Sequence, residues 1–461
     1  MNGDVRDWVR TPCQRAKKST STLLPNPPVL QSDHRFDIVH IDVVGPLPPC
    51  DGFRCLLTAV DRCLFNASLN ESEEIEFSAR NPTYKDILAK DLVMNIYRDG
   101  QWGSFRHTSP AKRGSPKIRT EFACLDIETT GDLSSLQWYV SPLSYALPSI
   151  SANKNICTVY YAALNFRDVM LTTGKLSSDT LPGDFATSDF LLGMEFSGLD
   201  HRGRRVMGAV PAQGLATAVA VDPTFLWEVP ETWSLQQAAT IPMAYATAYY
   251  ALLVHGHMRP GESVLIHSGS GGVGQAAISI AISMGCTVFT TVGSKEKVEF
   301  LLRRYPQLER RNIAHSRDCS FEKLVLRETK GKGVDLVLNS LAEDKLQASV
   351  RCLAMHGRFL EIGKVDLSND SALGMSVFLK GVTFQGVLVE LLHGDDVIAG
   401  EERRRVAEYI RAGITSGAVR PLDTILFSRD QVEDAFRFMA SGKHIGKIVL
   451  ELVDWSAVMD P

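Results

Sequence analysis

Gly269, Gly271 and Gly274 stand in the spacing G-x-G-x-x-G, directly after the apolar run Ser263-Val-Leu-Ile266 and at the head of a small-residue segment with helical spacing. In a βαβ unit each of these glycines has its own task. The first permits a tight turn, the second lets the backbone close on a pyrophosphate, and the third lets helix and strand touch. The new helix N-terminus adds free amide donors and a positive dipole end. Ser270, Gly272 and Val273 complete the loop and are candidate phosphate contacts with the three glycines. A second strand-like run, Cys286-Thr-Val-Phe-Thr-Thr-Val292, follows after one helix's length, as a crossover requires. Both flanks therefore predict a dinucleotide site.

The end of that second run bears on which nucleotide. NAD binders place an acidic residue there to hold the ribose 2′-hydroxyl. This chain has Gly293-Ser-Lys-Glu-Lys297, and Arg317 closes the next strand-like segment. Ser294, Lys297 and Arg317 suit a 2′-phosphate, which a carboxylate would repel. A lysine at a helix start also opposes the helix dipole, so a bound anion gives it a reason to be there. The alternative is a solvated helix start. The cofactor expected is NADPH.

Around this turn, strand and helix alternate. Apolar runs at 264–268, 287–292, 312–315, 334–339, 358–362 and 382–388 are separated by amphipathic segments, which predicts a doubly wound parallel sheet and an α/β fold. Upstream, residues 156–230 hold short strand-like runs spaced by Gly, Pro and Asp, a small β domain. Residues 232–258 read as helical, with Thr232 as the expected cap. The tail, 396–452, carries two helices and a closing strand, Ile445-Gly-Lys-Ile-Val-Leu-Glu451, expected to return to the β domain. Asn339 and Ser340 end the fourth run, at the carboxyl edge where open α/β sheets bind ligands.

At 461 residues and 44% hydrophobic composition the chain can bury two or three cores. A net charge of −4 gives no general pull toward nucleic acid or membrane. No window approaches the run of about 18 apolar residues that spans a bilayer, and the start is polar. The nine cysteines are scattered without a C-x-x-C pair, so they read as reduced thiols of a cytoplasmic protein. Catalytic zinc needs three Cys or His ligands and structural zinc four close cysteines; neither pattern is present, so hydride chemistry is expected to be metal-free.

The arrangement of a β domain, an inserted dinucleotide fold and a returning tail resembles the medium-chain dehydrogenase/reductase superfamily, and within it the enoyl reductase domain of animal fatty acid synthase. The resemblance is carried by the glycine turn and by Val159-Tyr-Tyr-Ala-Ala-Leu-Asn-Phe-Arg-Asp168, Leu192-Gly-Met-Glu-Phe-Ser-Gly198, Gly333-Val-Asp-Leu-Val-Leu-Asn-Ser-Leu-Ala342, His356-Gly-Arg-Phe-Leu-Glu-Ile-Gly-Lys364 and His444-Ile-Gly-Lys447. It implies a GroES-like substrate domain over 151–240 and 390–452, a Rossmann domain over 241–389, and a structural pseudo-ketoreductase remnant over 64–150. It also implies NADPH-dependent reduction of an enoyl thioester carried on an acyl carrier protein, in a homodimer formed through the sixth-strand edge. Lys364 and Glu390 match the family's candidate catalytic lysine and acid; the acid there is Asp, so Glu390 departs from the pattern. Asn165, Arg167 and Asp168 match residues lining the nicotinamide cleft, where positioning is expected, with an Arg167–Asp168 ion pair as the plainer reading. Residues 1–63 resemble a retrotransposon integrase, through Pro12-Cys-Gln-Arg-Ala-Lys17 and Val39-His-Ile-Asp-Val-Val-Gly-Pro-Leu-Pro48, with Asp42 as a lone carboxylate where two-metal chemistry needs several. That segment is expected to be inert. The competing readings are a quinone or enone reductase, a nucleic-acid-binding protein and a non-catalytic scaffold.

Overall fold

The computed structural model describes residues 120–146, 154–178, 181 and 190–453, and the backbone of four strands between residues 39 and 103. Those strands form two antiparallel pairs, β1 (Val39–Val44) with β2 (Leu56–Asp61) and β3 (Ile96–Arg98) with β4 (Gln101–Gly103). They belong to one compact unit, Met1–Pro116, and Lys117–Pro461 form a second. The knuckle-like segment 12–17, residues 64–95 and the basic stretch 109–117 lie outside the described residues.

In the second unit, β5 (Ala123–Ile127) and β6 (Leu136–Val140) form a hairpin that joins the β domain. The Leu125 amide donates to Leu215 O at 2.8 Å, and Cys124, Leu125 and Leu133 share a core with Val159, Phe196 and Leu450. The β domain thus begins near residue 120, where the sequence suggested 151. Its other strands are β7 (Asn155–Ala163), β8 (Glu195–Asp200), β9 (Arg205–Ala209), β10 (Ala218–Val221) and β11 (Leu226–Glu228). All pair antiparallel, and the expected strand at Leu191 starts only at Glu195.

The helical stretch after β11 is capped by Ser234, two residues beyond the expected Thr232. Ser234 forms a reciprocal capping box with Gln237: its hydroxyl accepts the Gln237 amide at 3.1 Å, and its own amide donates to Gln237 Oε1 at 3.0 Å. That second bond needs Gln or Glu three residues on, which Thr232 lacks. Helix Pro242–Tyr249 follows, buried on every side, with proline at its first turn.

Six parallel strands come next: β12 (Ser263–Ile266), β13 (Thr287–Val292), β14 (Ile313–His315), β15 (Val334–Asn339), β16 (Leu353–Glu361) and β17 (Thr383–Gly386). Their order is β14-β13-β12-β15-β16-β17, all parallel, with the sequential order of the strands reversing between β12 and β15. The strands are apolar along most of their length because helices cover both faces. One core holds Val264, Ile266, Leu336 and Leu338, and the other Leu265, Phe289, Val337 and Phe359. Helix Val397–Ser416 packs Val406 and Ile410 into the first core, while β18 (Thr424–Ser428) and β19 (Lys447–Glu451) return to the β domain, β19 against β7. No helix among the described residues is long and apolar enough to cross a membrane. Among them five cysteines are unpaired, and burial pushes the Cys124, Cys157 and Cys352 thiols up to about 12.

The two domains meet at the first residue of β19. Lys447 is buried, and its ammonium donates to Leu164 O at 2.9 Å and to Asn165 Oδ1 at 2.8 Å. Glu195 Oε1 lies 2.6 Å from it, and the other carboxylate oxygen, Oε2, accepts the Met243 amide at the head of helix Pro242–Tyr249. Asn165 Nδ2 completes the network by donating to Glu195 Oε1 at 3.0 Å. Removing one member of such a pair strands a buried charge. Lys447→Met should therefore lower the unfolding free energy by about 3–5 kcal/mol, read from urea denaturation. Lys447→Met combined with Glu195→Gln should lose less than Lys447→Met alone.

Candidate active site

The glycine turn sits at the carboxyl end of β12. Ser268 enters it with a left-handed φ of 56°, and helix Gly272–Ser283 starts after Gly271. A Cβ on Gly269 would collide with Thr290 of β13, and one on Gly274 with the Ser268 carbonyl. Both positions need glycine for packing within the fold. A Cβ on Gly271 would meet only the Ser268 carbonyl, at 3.4 Å, so its bareness serves an approach from outside. Ser268 Oγ lies 3.1 Å from Ser340 Oγ, which brings the turn and the end of β15 together at the strand-order reversal.

At the ends of β13 and β14 the expected cations converge. Ser294 caps helix Lys295–Arg304 by accepting the Lys297 amide at 3.4 Å. The Lys297 ammonium donates to Gly442 O at 2.7 Å, and burial, then the nearby Arg317 charge, hold it below the ordinary lysine value. A Cβ on Gly293 would come within 3.5 Å of Arg317 Nε and 3.6 Å of Ser316 Oγ. Lys295 points away to solvent and pairs with Glu299.

Across the cleft, Lys364 follows β16 and Glu390 follows β17, and their side chains form an ion pair through Nζ and Oε1. Arg167 of helix Phe166–Thr172 lies 3.7 Å from the same oxygen, and its Nη2 donates at 3.0 Å to both Leu191 O and Pro211 O. Burial would raise the Glu390 carboxyl, but Lys364 and Arg167 outweigh it and hold the group below the usual carboxylate value. Burial lowers Lys364 by more than Glu390 restores. The arrangement can present an ammonium, ready to give up a proton, at the cleft.

Arg167 therefore pairs with Glu390, where the sequence suggested Asp168. Neighbouring residues on a helix do not face one another. Asp168 spends its oxygens on the Asn165 amide at 2.8 Å and the Gly193 amide at 2.9 Å, and burial raises its pKa. Asn339 is engaged within the protein too. Its Nδ2 donates to Leu341 O at 2.7 Å and to Glu361 Oε2 at 2.6 Å.

Comparison with known proteins supplies the family. The profile described as "Zinc-binding dehydrogenase" matches residues 311–450, and that described as "Fatty acid synthase, pseudo-KR domain" matches residues 58–109. The chain is 40% identical over 400 residues to the highly reducing polyketide synthase poxF of Penicillium oxalicum, covering 82% of this chain and 15% of that protein. To the lovastatin diketide synthase lovF of Aspergillus terreus it is 38% identical over 343 residues, 73% of this chain and 13% of that one. The solved CurK enoyl reductase superposes with a TM-score of 0.63 at 29% identity, over 72% of this chain and all of the other. This chain carries an enoyl reductase domain of the medium-chain dehydrogenase/reductase superfamily. The resemblance to animal fatty acid synthase is corrected by the match to the highly reducing polyketide synthase of Penicillium oxalicum. The chain spans only a small part of the length of these two synthases. The quinone oxidoreductase of Thermus thermophilus, solved also in complex with NADPH, shares the fold, with a TM-score of 0.57 at 26% identity and coverage of 72% and 100%.

The enoyl reductase domain depends on residues that the sequence reading passed over. Lys447 and Glu361 each lie inside a quoted motif, and Glu195 within Leu192–Gly198, yet none was singled out. The signal was there in Glu361, an acid closing a strand whose neighbours Phe359 and Leu360 are apolar. Among the described residues no three His, Cys, Asp or Glu side chains converge as metal ligands.

Glu390→Gln would remove the charge that supports the Lys364 ammonium and leave Arg167, which opposes it. The Lys364 titration midpoint should then fall further below the ordinary lysine value, measured by pH-dependent acylation of that lysine and peptide mass spectrometry.

Proposed function

We propose that the domain is an NADPH-dependent enoyl-thioester reductase that acts on acyl chains held by a carrier protein, within a reducing polyketide synthase. The Lys364–Glu390–Arg167 cluster at the carboxyl edge of the sheet is the observation that carries this reading. The chain's own residues fit the cofactor: a bare backbone at Gly271, a helix start aimed at a diphosphate, and the Ser294, Lys297 and Arg317 group for a 2′-phosphate. When bound, NADPH supplies a hydride from its nicotinamide ring to the substrate's β-carbon.

Negative charge then collects on the thioester oxygen. The Lys364 ammonium donates a hydrogen bond to that oxygen and delivers a proton to the α-carbon, so the C=C bond becomes a saturated C–C bond. Glu390, kept ionised, holds the ammonium in place rather than giving up a proton itself. Arg167 fixes Glu390, and its hydrogen bonds to Leu191 O and Pro211 O tie it to the β domain. We propose a metal-independent reaction, because no ligand set for zinc gathers among the described residues. We also propose a homodimer through β17, an edge strand of its sheet, with the exposed Met375 and Leu379 on the helical turn Met375–Lys380 that leads into it.

Three measurements test this reading. Purified protein should oxidise NADPH with an enoyl thioester faster than with a quinone, and Lys364→Ala should cut kcat by on the order of a hundredfold; faster turnover of the quinone would favour a small-molecule reductase. In a Lys297→Ala/Arg317→Ala double variant, NADPH binding followed by fluorescence should weaken at least tenfold while NADH binding stays the same. Light scattering should give twice the chain mass, and a charge at Leu379 should return it to one.

A further inference from the structure

We infer that Glu361 is a positioning residue that sets the spacing of Lys364 and Glu390. This rests on the proposed role of that pair. Glu361 closes β16, is 1% exposed and has no cation among its hydrogen-bond partners. Burial pushes it up to about 8. An acid so placed is costly unless its oxygens are hydrogen-bonded. Each of them is. Oε2 accepts from Asn339 Nδ2 and Oε1 from the Gly363 amide, both at 2.6 Å.

Each bond leads to one side of the cleft. Gly363 is the residue before Lys364, so the carboxylate folds the chain back on itself where the lysine leaves the strand. Asn339 ends β15, and through its bonds to Leu341 it holds the loop that carries Ser340. The Glu361 carbonyl accepts the Val387 amide at 2.8 Å, three residues before Glu390. A single residue thus anchors the chain on the way to both partners. Glutamine cannot replace it, because an NH2 group would face either the Gly363 amide or Asn339 Nδ2, donor against donor. Gly363 reports the same clasp from the other side: a Cβ there would stand 2.6 Å from Glu361 Oε1 and would displace the carboxylate.

The test compares wild type, Glu361→Gln and Gly363→Ala at about pH 9, above the point to which burial pushes the acid. Two readouts are taken. The first is kcat with an enoyl thioester beside the Kd for NADPH. The second is the acylation rate of Lys364 by acetic anhydride, followed by peptide mass spectrometry, which needs no turnover. Each variant should lose kcat by on the order of ten- to a hundredfold, with the NADPH Kd changed less than about threefold, and Lys364, freed from Glu390, should acylate several-fold faster. Unchanged Lys364 acylation in both variants overturns the inference whatever kcat does. A wild type that turns nothing over would sink the enzymatic reading alone, since the acylation rates still decide the role of Glu361. If one variant does not fold, the other supplies the same comparison.

Discussion

Gly446 donates its amide to Ser270 O at 2.9 Å, inside the phosphate turn, and the geometry of the cleft follows from that backbone contact. Two glycines leave room around it. Gly446 holds a left-handed φ of 73°, and a Cβ there would run into the Asp423 carbonyl; a Cβ on Gly272 would press on Lys447 Cδ at 2.7 Å. The start of β19 and the head of helix Gly272–Ser283 thus approach to hydrogen-bonding distance. The next residue, Lys447, then turns its ammonium into the network of Asn165 and Glu195. The turn that would hold a diphosphate and the strand that closes the β domain are therefore one assembly. A shift of either domain would break backbone hydrogen bonds and expose a buried ion pair together, so the cleft is held from its floor.

The same dependence explains what could be read in the sequence. The parallel sheet was legible because its signal is local: apolar runs, glycine spacing and intervening amphipathic segments each fall within a short window, and the six strands came out close to their expected places. Lys364 and Glu390 came into view through the family resemblance rather than through any local pattern, and Lys297 and Arg317 through the cationic segments that follow two strands. The partners were not legible. Arg167 reaches Glu390 across more than two hundred residues of chain, while its neighbour Asp168 offered the easier guess. Hairpin β5–β6 belongs to the β domain through a core contact with Leu215 and Phe196, which no pattern within 120–146 could announce. Lys447 reads as an ordinary strand lysine until β19 is laid against β7 and the phosphate turn.

The two buried glutamates of the cleft show how one fold separates the behaviour of like groups. Glu361 ends β16 and Glu390 lies in the short helical turn Val389–His393 after β17, and burial pushes both upward. Glu390 meets two cations, whose attraction in a poorly hydrated site exceeds that push, so its charge survives and can hold an ammonium. Glu361 meets only neutral N–H donors and the repulsion of Asp366; two short hydrogen bonds recover part of the lost hydration, and it remains up at about 8. The difference follows from topology. Glu390 lies beyond β17, where the β domain brings Arg167 against it, whereas Glu361 ends a strand paired on both sides, by β15 and β17, and its carboxyl meets the Asn339 amide and the Gly363 N–H. A carboxylate there cannot exchange ions with a substrate, but it can fix the distance between two chain segments. The acid that keeps its charge beside two cations and the acid that burial pushes up among neutral donors are thereby placed on different residues, four residues beyond one strand and at the end of its neighbour.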